Sequence, residues 1–304
     1  MAKVRIVHTT EYTYRNPVGL LRHKLMIRPD ESHDLRLHGA TLKVEPAPSD
    51  IYWKHDVFDN SICFLHWPEA LRTRRLGIVS ELDLTHHPEG PPLPIYSLDS
   101  AAEQFPYAYA AHELPDLARF TELQMPDSDR KIEAWARRVV SSVDSKETLR
   151  VLDAMTHVIK EEFRYVARHE EGTQTAAETL ALGSGTCRDF AVLMMEALRC
   201  FGLATRFVTG YLYDSISGSV RGGGSTHAWC SVYLPGAGWV EYDPTNGLIA
   251  GENLIRVGVT REAEQAVPIS GGFVGNADDP TALHVDVSVH AVPRHGGGAT
   301  LISH

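Results

Sequence analysis

No stretch of about 18 apolar residues, the length that a membrane-spanning helix needs, occurs in this chain of 304 residues. Basic residues are also outnumbered, because 29 Lys and Arg stand against 39 Asp and Glu and leave a net charge of −10. An acidic surface repels the backbone of nucleic acids and anionic lipid headgroups. We therefore expect neither nucleic acid nor a membrane as the main partner.

Cysteine is scarce, and the chain has no Cys-x-x-Cys pair among its four positions, Cys63, Cys187, Cys200 and Cys230. The first eight residues alternate polar and apolar side chains and do not form the apolar core of a signal peptide. Free thiols in a cytoplasmic protein are therefore expected. The 16 histidines follow no zinc-binding spacing, and no calcium-loop pattern is present, so we expect no metal and no cofactor.

The first third of the chain is rich in β-branched and aromatic residues. Four such runs, separated by turn-forming Pro, Asn and Asp, span residues 4–14, 35–44, 52–67 and 76–84. Short strands at this spacing are typical of a sandwich or a barrel. We predict an N-terminal β-rich domain over residues 1–115, with the Pro-rich stretch 88–94 as a linker.

Apolar residues recur at helical spacing in three later segments, which begin near Ile132, Leu149 and Phe190. Strand patterns then return over residues 205–213, 228–234 and 239–242. This combination predicts an α+β core over residues 116–255.

The remaining residues, 256–304, are predicted to be a C-terminal extension. Its run 282–292 alternates apolar and polar side chains, which predicts a strand that returns to the N-terminal β layer. Three consecutive glycines beyond this run predict a flexible tail.

Cys187 follows a Gly-rich turn at the start of the third predicted helix. Thr186 and Asp189 have the N-cap and N3 spacing of a capping box, which places Cys187 in the first helical turn. Unpaired backbone N–H groups and the helix dipole favour a thiolate there, and the same groups suit a developing oxyanion. Taken alone, Cys187 is better explained as a small core residue.

His227 begins a predicted strand, in which side chains alternate between two faces. The apolar face consists of Ala228, Cys230, Val232 and Leu234. His227 lies on the other, more polar face, which weakens its interpretation as a core histidine. Because Cys230 points away from His227, Cys187 is the better candidate for a nucleophile.

Asp243 ends the next predicted strand, and residues 235–237 between the two strands indicate a hairpin. With a loop of three residues, Leu234 faces Gly238, and Asp243 lies on the same face as His227 within side-chain reach. One more loop residue would turn Asp243 to the opposite face. We predict the three-residue loop. By itself, Asp243 is better explained as a turn residue before a proline.

Together, these residues provide a nucleophile, a base and an orienting acid. Cys187 would attack a carbonyl carbon, and His227 would keep the thiol ionised and then protonate the leaving group. Asp243 would hold the imidazole in one tautomer and stabilise its charged form.

The segments around these residues resemble the bacterial transglutaminase-like superfamily, in its branch of cysteine proteases with an N-terminal β domain. They are residues 183–191, 210–212, 226–229 and 238–246. The Cys, His and Asp of the family triad correspond to Cys187, His227 and Asp243. The resemblance implies a papain/transglutaminase-like core, in which a helix bearing the cysteine packs on an antiparallel sheet, beside an N-terminal β-sandwich or barrel-like domain.

Three further residues are weaker candidates for substrate binding. Trp229 shares the predicted face of His227, Gly224 lies in a Gly-rich run that would admit a substrate backbone, and Tyr165 carries a hydroxyl that suits an oxyanion. Ordinary packing explains the two aromatic residues equally well, and simple flexibility explains the glycine.

The leading functional hypothesis is a cysteine-dependent amide hydrolase that cleaves a peptide or isopeptide bond through a thioester acyl-enzyme. Two alternatives remain open. In the first, an amine replaces water, as in transglutaminase-type acyl transfer. In the second, the chain is a non-enzymatic binding module that uses its β domain. The predicted partner is a peptide or protein substrate.

Overall fold

A computed structural model describes residues 2–87, 97–167, 172–213, 226–249 and 253–292 of the chain. The helices in this part are α1 (Leu114–Thr121), α2 (Lys131–Ser141), α3 (Thr148–Glu162), α4 (Ala176–Leu182) and α5 (Cys187–Arg199). The strands of the first half are β1 (Ala2–Leu20), β2 (His23–Leu25), β3 (Leu35–Glu45), β4 (Asp50–His55), β5 (Ser61–His66), β6 (Thr73–His86) and β7 (Arg164–Tyr165). The later strands are β8 (Ser184–Gly185), β9 (Thr205–Leu212), β10 (His227–Leu234), β11 (Gly238–Asp243), β12 (Leu248–Ile249), β13 (Leu254–Thr260), β14 (Ile269–Ser270), β15 (Phe273–Val274) and β16 (Pro280–Val292).

The N-terminal region consists of two antiparallel sheets. In the first, β1 lies between β6 and β16, and β3 pairs with the outer side of β6. In the second, the order is β14-β2-β5-β4. Both sheets contribute to one apolar cluster, which contains Val18, Leu25, Leu65, Trp67 and Ile78 among others. The predicted N-terminal β domain is therefore present, because both sheets bury apolar side chains in one shared core.

The C-terminal segment supplies strands to both N-terminal sheets. Strand β16 pairs with β1 from Lys3 opposite Val292 to Tyr14 opposite Pro280. Strand β14 pairs with β2 in the other sheet. The alternating run 282–292 thus lies against the first strand of the chain. The tail predicted beyond it is outside the described residues.

The second half of the chain is built on a sheet with the order β12-β11-β10-β9-β13. Its outer strand β13 pairs with β9. The sheet therefore extends past residue 255, which is the predicted end of the core. Helix α5 packs across the sheet, and all of its residues except Arg188 are buried. A helix that is buried nearly all round belongs at the centre of a domain, and α2, α3 and α4 surround α5. The predicted α+β fold is confirmed. No helix in the described part of the chain has the length and apolar character needed to cross a bilayer.

Two buried histidine–tyrosine contacts join the first N-terminal sheet to β9 and to the residue that follows it. The Nδ1 atom of His8 lies 3.0 Å from the hydroxyl oxygen of Tyr211, and Nδ1 of His86 lies 3.2 Å from that of Tyr213. Both pairs have edge-to-face ring geometry. Burial lowers the pKa of each histidine from 6.5 to about 4. Both imidazoles are therefore neutral at neutral pH.

We expect the free energy of unfolding to fall as the pH is lowered from about 6.5 to about 4. In this range the unfolded chain binds protons at His8 and His86 and the folded chain does not, so each lowered pKa contributes stability that is lost on acidification. The loss is up to roughly 3 kcal/mol per histidine. Urea unfolding at a series of pH values measures it. The variant His8→Gln/His86→Gln should show a flatter pH dependence, whereas the exposed control His290→Gln should match the parent chain. Equal pH dependence in all three chains would contradict this assignment.

Candidate active site

Cys187 lies in the first turn of α5. The Thr186 hydroxyl accepts a hydrogen bond from the backbone N–H of Asp189, and the backbone N–H of Thr186 donates to Asp189 Oδ2 at 2.8 Å. The capping box predicted from the sequence is therefore confirmed. Cys187 is 8% exposed and is the first residue of the helix, where backbone N–H groups have no partner within the helix.

Two glycines in the turn before Cys187 are explained by backbone conformation and by close packing, respectively. Gly183 ends α4 with φ of +59°, a left-handed conformation that favours glycine. At Gly185, an added Cβ would lie 2.8 Å from the Cβ of Asp189. The Asp189 carboxylate is fully buried and also accepts from the backbone N–H of Gln174 at 2.7 Å. Asp189 therefore ties an upstream loop to the first turn of α5.

The β10–β11 hairpin has the register predicted from the sequence. Leu234 pairs with Gly238 and Cys230 with Tyr242, which leaves a loop of three residues. His227 and Asp243 consequently share one face of the sheet, and His227 Nε2 lies 2.8 Å from Asp243 Oδ2. Both side chains are completely buried.

Asp243 is held by four hydrogen bonds at the end of β11. Its Oδ1 accepts from the backbone N–H groups of Thr245 at 2.9 Å and Asn246 at 3.4 Å. Its Oδ2 accepts from His227 and from Asn246 Nδ2, the latter at 2.9 Å. Burial by itself would raise the pKa of Asp243, but the charge of His227 and these hydrogen bonds outweigh it and lower that pKa below its ordinary value. Asp243 is therefore an anion that fixes the imidazole.

The remaining ring nitrogen of His227, Nδ1, is buried and makes no hydrogen bond of standard geometry in the described part of the chain. Burial disfavours the charged ring, but interactions with Asp243 and with the nearby Cys187 thiol outweigh burial and raise the pKa of His227 to about 10. The imidazole of His227 thus lies between the carboxylate and the sulfur. The structure brings together the three residues that the sequence predicts to act together.

Trp229 does not line an open cleft, which corrects its prediction as a substrate-binding residue. Its side chain is fully buried in an apolar cluster with Val208, Leu212 and Leu254. The indole stacks on His227 with a centroid distance of 5.9 Å and an interplanar angle of 28°. Because large aromatic rings stabilise most when enclosed by apolar neighbours, Trp229 packs behind the imidazole and supports its orientation.

Tyr165 lies in β7, which pairs in parallel with β8 just before Cys187. Burial, followed by the charges of Cys187, Asp189 and Asp243, raises the pKa of Tyr165 to about 12. Its hydroxyl is therefore neutral at neutral pH, and the Tyr165 backbone pairs with Gly185, two residues before Cys187. Gly224, the remaining predicted substrate-binding residue, is outside the described residues.

Two polar residues near the site have roles that sequence reasoning missed. Asn246 donates to the carboxylate of Asp243, and the only sequence signal is an amide three residues after an acid in a turn. Arg188 donates from Nη2 to the backbone oxygen of Ala263 at 2.5 Å and from Nη1 to that of Ala266 at 3.4 Å. It thereby ties residues 263–266 to the start of α5. No sequence pattern indicates this long-range contact.

No group of three or more His, Cys, Asp or Glu side chains suited to holding a metal ion occurs among the described residues. The imidazole of His227 instead interacts with the Asp243 carboxylate on one side and with the Cys187 thiol on the other. This arrangement suits proton transfer between sulfur and imidazole and nucleophilic attack by the sulfur.

Comparison with known protein families supports the same interpretation of the fold. Residues 133–244 match the family model described as "Transglutaminase-like superfamily", and residues 4–84 match "Bacterial transglutaminase-like N-terminal region". These matches show a transglutaminase-like core preceded by a bacterial transglutaminase-like N-terminal region. The family resemblance predicted from the sequence is confirmed, and all three candidate residues lie within the first match.

Relatives of this transglutaminase-like chain cover nearly its whole length. An uncharacterized protein of Mycobacterium tuberculosis is 29% identical over 303 residues, which span 97% of this chain and 94% of that protein. An uncharacterized protein of Mycobacterium leprae is 24% identical over 298 residues, which span 95% of this chain and 99% of that protein. A crystal structure from Cytophaga hutchinsonii, named "a Putative Cysteine Protease", has a TM-score of 0.68 and 18% identity and covers 96% of this chain and 92% of its own. This likeness shows a shared fold.

Proposed function

We propose that this protein is a cysteine-dependent amide hydrolase that acts on a peptide or protein substrate. The observation that carries the proposal is the 2.8 Å contact between His227 Nε2 and Asp243 Oδ2, which leaves Nδ1 as the ring nitrogen available to Cys187. A cysteine at a helix start, paired with an oriented imidazole, is a competent nucleophile in acyl transfer.

In the first half of the reaction, the thiolate of Cys187 attacks the carbonyl carbon of the substrate amide. The imidazolium of His227 then gives its proton to the leaving nitrogen, the C–N bond breaks, and the amine departs. The product on the enzyme is a thioester. Asp243 remains ionised and stabilises the charged imidazole before this proton transfer.

In the second half, neutral His227 takes a proton from a water molecule, and the resulting hydroxide attacks the thioester carbon. The C–S bond breaks, the acid is released, and the Cys187 thiolate and the His227 imidazolium are restored. The raised pKa of His227 supports this cycle, because it keeps the resting imidazole protonated at neutral pH.

The negative oxygen of each tetrahedral intermediate needs hydrogen-bond donors. We assign the backbone N–H of Cys187 as the first donor, because it belongs to the unpaired N–H groups of the helix start. The hydroxyl of Tyr165 is the second, since its raised pKa keeps it protonated. The pairing of Tyr165 with Gly185, two residues before Cys187, supports this assignment.

Acyl transfer to an amine is the second candidate function, and the match of residues 133–244 to the transglutaminase-like family model favours it. Both reactions pass through the same thioester, and they differ in whether water or an amine attacks it. Incubation with a glutamine-containing protein and a fluorescent primary amine distinguishes them. Amine incorporation supports transfer, whereas release of a new carboxylate or ammonia without incorporation supports hydrolysis.

Alkylation of the intact protein by iodoacetamide at neutral pH is expected to modify Cys187 first. Its reactivity should exceed that of the other thiols because of the adjacent imidazolium and the helix start. Burial raises the pKa of Cys63 and of Cys200 to about 11, and burial also raises that of Cys230, so these thiols should react slowly. Peptide mapping by mass spectrometry after brief labelling measures the order.

The matched variants are Cys187→Ala and Cys200→Ala. The first should abolish rapid labelling and all amide cleavage, whereas the second should preserve both, since Cys200 is partly exposed and distant from His227 in the fold. Rapid labelling that survives in Cys187→Ala would contradict the proposed nucleophile. It would favour the view that the chain is a non-enzymatic binding module.

A further inference from the structure

A cavity of about 340 Å³ lies between the N-terminal β domain and the core sheet. Val57, Phe58 and Asp59, in the turn between β4 and β5, form one wall. Phe120, Arg206 and Trp239 form the other. The two walls also meet through aromatic contacts, because Phe58 lies 6.5 Å and Trp239 5.3 Å from the ring of Phe120. The cavity therefore combines apolar walls with one guanidinium group.

Arg206 forms no ion pair or hydrogen bond with an acidic side chain in the part of the chain that the structure describes. Its Nε donates to Ser231 Oγ at 2.9 Å, and its Cζ lies 4.3 Å from the centroid of the Trp239 ring. Neither terminal nitrogen has a hydrogen-bond or ion-pair partner in the described chain. Burial, reinforced by the nearby charge of Arg256, lowers the pKa of Arg206 to about 9, although Glu241 opposes this shift.

Two other arginines of the described core form ion pairs with a glutamate. Arg256 pairs with Glu241 at 3.0 Å, and Arg199 pairs with Glu196 at 2.7 Å. An enclosed guanidinium normally forms paired hydrogen bonds with a carboxylate or a phosphate. Arg206 has a cavity beside it, but no carboxylate among the described residues forms such paired hydrogen bonds with it.

We propose that this cavity binds an organic carboxylate that carries an apolar group. The two terminal nitrogens of Arg206 bind the carboxylate, and Phe58, Phe120 and Trp239 enclose the apolar group. Two sources fit this chemistry: a free apolar amino acid and the C-terminus of a peptide. Asp59, whose side chain is 92% exposed at the rim, distinguishes them, because only a free amino acid offers it an ammonium group.

This site is separate from Cys187. Trp239 is opposite Tyr233 near the turn of the β10–β11 hairpin, whereas His227 is at the other end of β10. Tyr233 lies six positions after His227 along β10, which corresponds to about 20 Å. Binding at Arg206 is therefore independent of the proposed amide hydrolysis.

Isothermal titration calorimetry on the full chain tests the proposal with three probes. They are N-acetyl-L-phenylalanine, L-phenylalanine and N-acetyl-L-phenylalaninamide, which has no carboxylate. We expect saturable binding of at least one of the first two, and binding of the amide at least about tenfold weaker. Tighter binding of L-phenylalanine assigns a free amino acid, whereas tighter binding of its N-acetyl form assigns a peptide C-terminus. Cys187→Ala should bind as the parent chain does.

Arg206→Gln is expected to lose at least about tenfold in affinity for the carboxylate probes. Val57→Asp provides a second variant that should fold normally, because Val57 is 88% exposed. It adds a negative charge to the cavity wall and should also weaken carboxylate binding, whereas Val274→Asp, at an exposed position elsewhere, should not. The proposal is overturned if no carboxylate binds up to about 10 mM, if the amide binds equally well, or if Val57→Asp and Arg206→Gln both bind like the parent chain.

Discussion

Replacement of Asp243 by asparagine should reduce amide cleavage, and alkylation of Cys187 at neutral pH, by about 10³- to 10⁴-fold. In the native chain the carboxylate accepts a hydrogen bond from His227 Nε2. An asparagine amide that donates at this position would require an unprotonated Nε2 and would move the proton of a neutral ring to Nδ1. Nδ1 could then no longer take a proton from the thiol. The side-chain volume hardly changes, so the loss would reflect charge and tautomer rather than packing.

The same substitution should change the pH dependence in a defined direction. The charge of Asp243 is the largest of the influences that raise the pKa of His227 to about 10, and burial opposes it. Without the carboxylate, burial dominates, so the pH at which the imidazolium loses its proton should fall well below 10. The alkaline limb of the alkylation rate should move with it. NMR titration of the His227 ring provides a direct measurement.

Stability should respond with the corresponding sign. The raised pKa of His227 contributes stability that is complete below 6.5 and is lost as the pH rises through about 10. The lowered pKa of Asp243 contributes stability that is present above 3.8 and is lost on acidification. Asp243→Asn should remove both contributions. The exposed control Asp286→Asn should retain the parent profile, and an unchanged alkaline limb in Asp243→Asn would exclude Asp243 as the partner of His227.

A second large effect is expected from Gly210→Ala. Gly210 pairs with His227 across β9 and β10. A Cβ added at Gly210 would overlap the backbone oxygen of Ile255 and would lie 2.7 Å from ring atom Cη2 of Trp229. Neither neighbour can retreat easily, because one belongs to the paired strand β13 and the other is a buried indole. We expect a loss of about 3 kcal/mol or more in the free energy of unfolding.

Gly77→Ala is the matched control, since Gly77 also lies in a central strand but its added Cβ would approach no atom closer than 3.9 Å. Its effect should stay within about 1 kcal/mol. Urea unfolding of both variants measures the difference. Gly210→Ala should additionally slow alkylation of Cys187 under conditions in which it remains folded, because displacement of Trp229 disturbs the stacked His227. Equal stabilities of the two variants would contradict the close packing at Gly210.

The local parts of the site follow from short stretches of sequence. The capping box around Cys187 depends on residues three apart, and the register of the β10–β11 hairpin depends on the length of one loop. Both structures form between neighbours along the chain, so residue type and spacing are sufficient to predict them. For the same reason, the shared face of His227 and Asp243 was predictable.

The sequence misled where burial depends on distant segments. The alternation in β10 placed Trp229 on the more polar face, which suggested a cleft wall. In the fold, Trp229 instead lies in a buried apolar cluster with Val208 and Leu254. The pairing of β13 with β9, which extends the core sheet beyond residue 255, likewise joins segments that are far apart in the sequence.

The sequence alone therefore determined the helix start that carries Cys187 and the presence of a β-rich N-terminal region. It also determined that His227 and Asp243 lie on the same face of the β10–β11 hairpin. Tertiary packing decided which sheet each late strand joins, the burial of Trp229 and the contacts of Asn246. It also placed the Arg206 guanidinium between Ser231 and the Trp239 ring. The division has a physical basis. Hydrogen-bond periodicity acts over a few residues, whereas burial and ion pairing are properties of segments that meet only after folding.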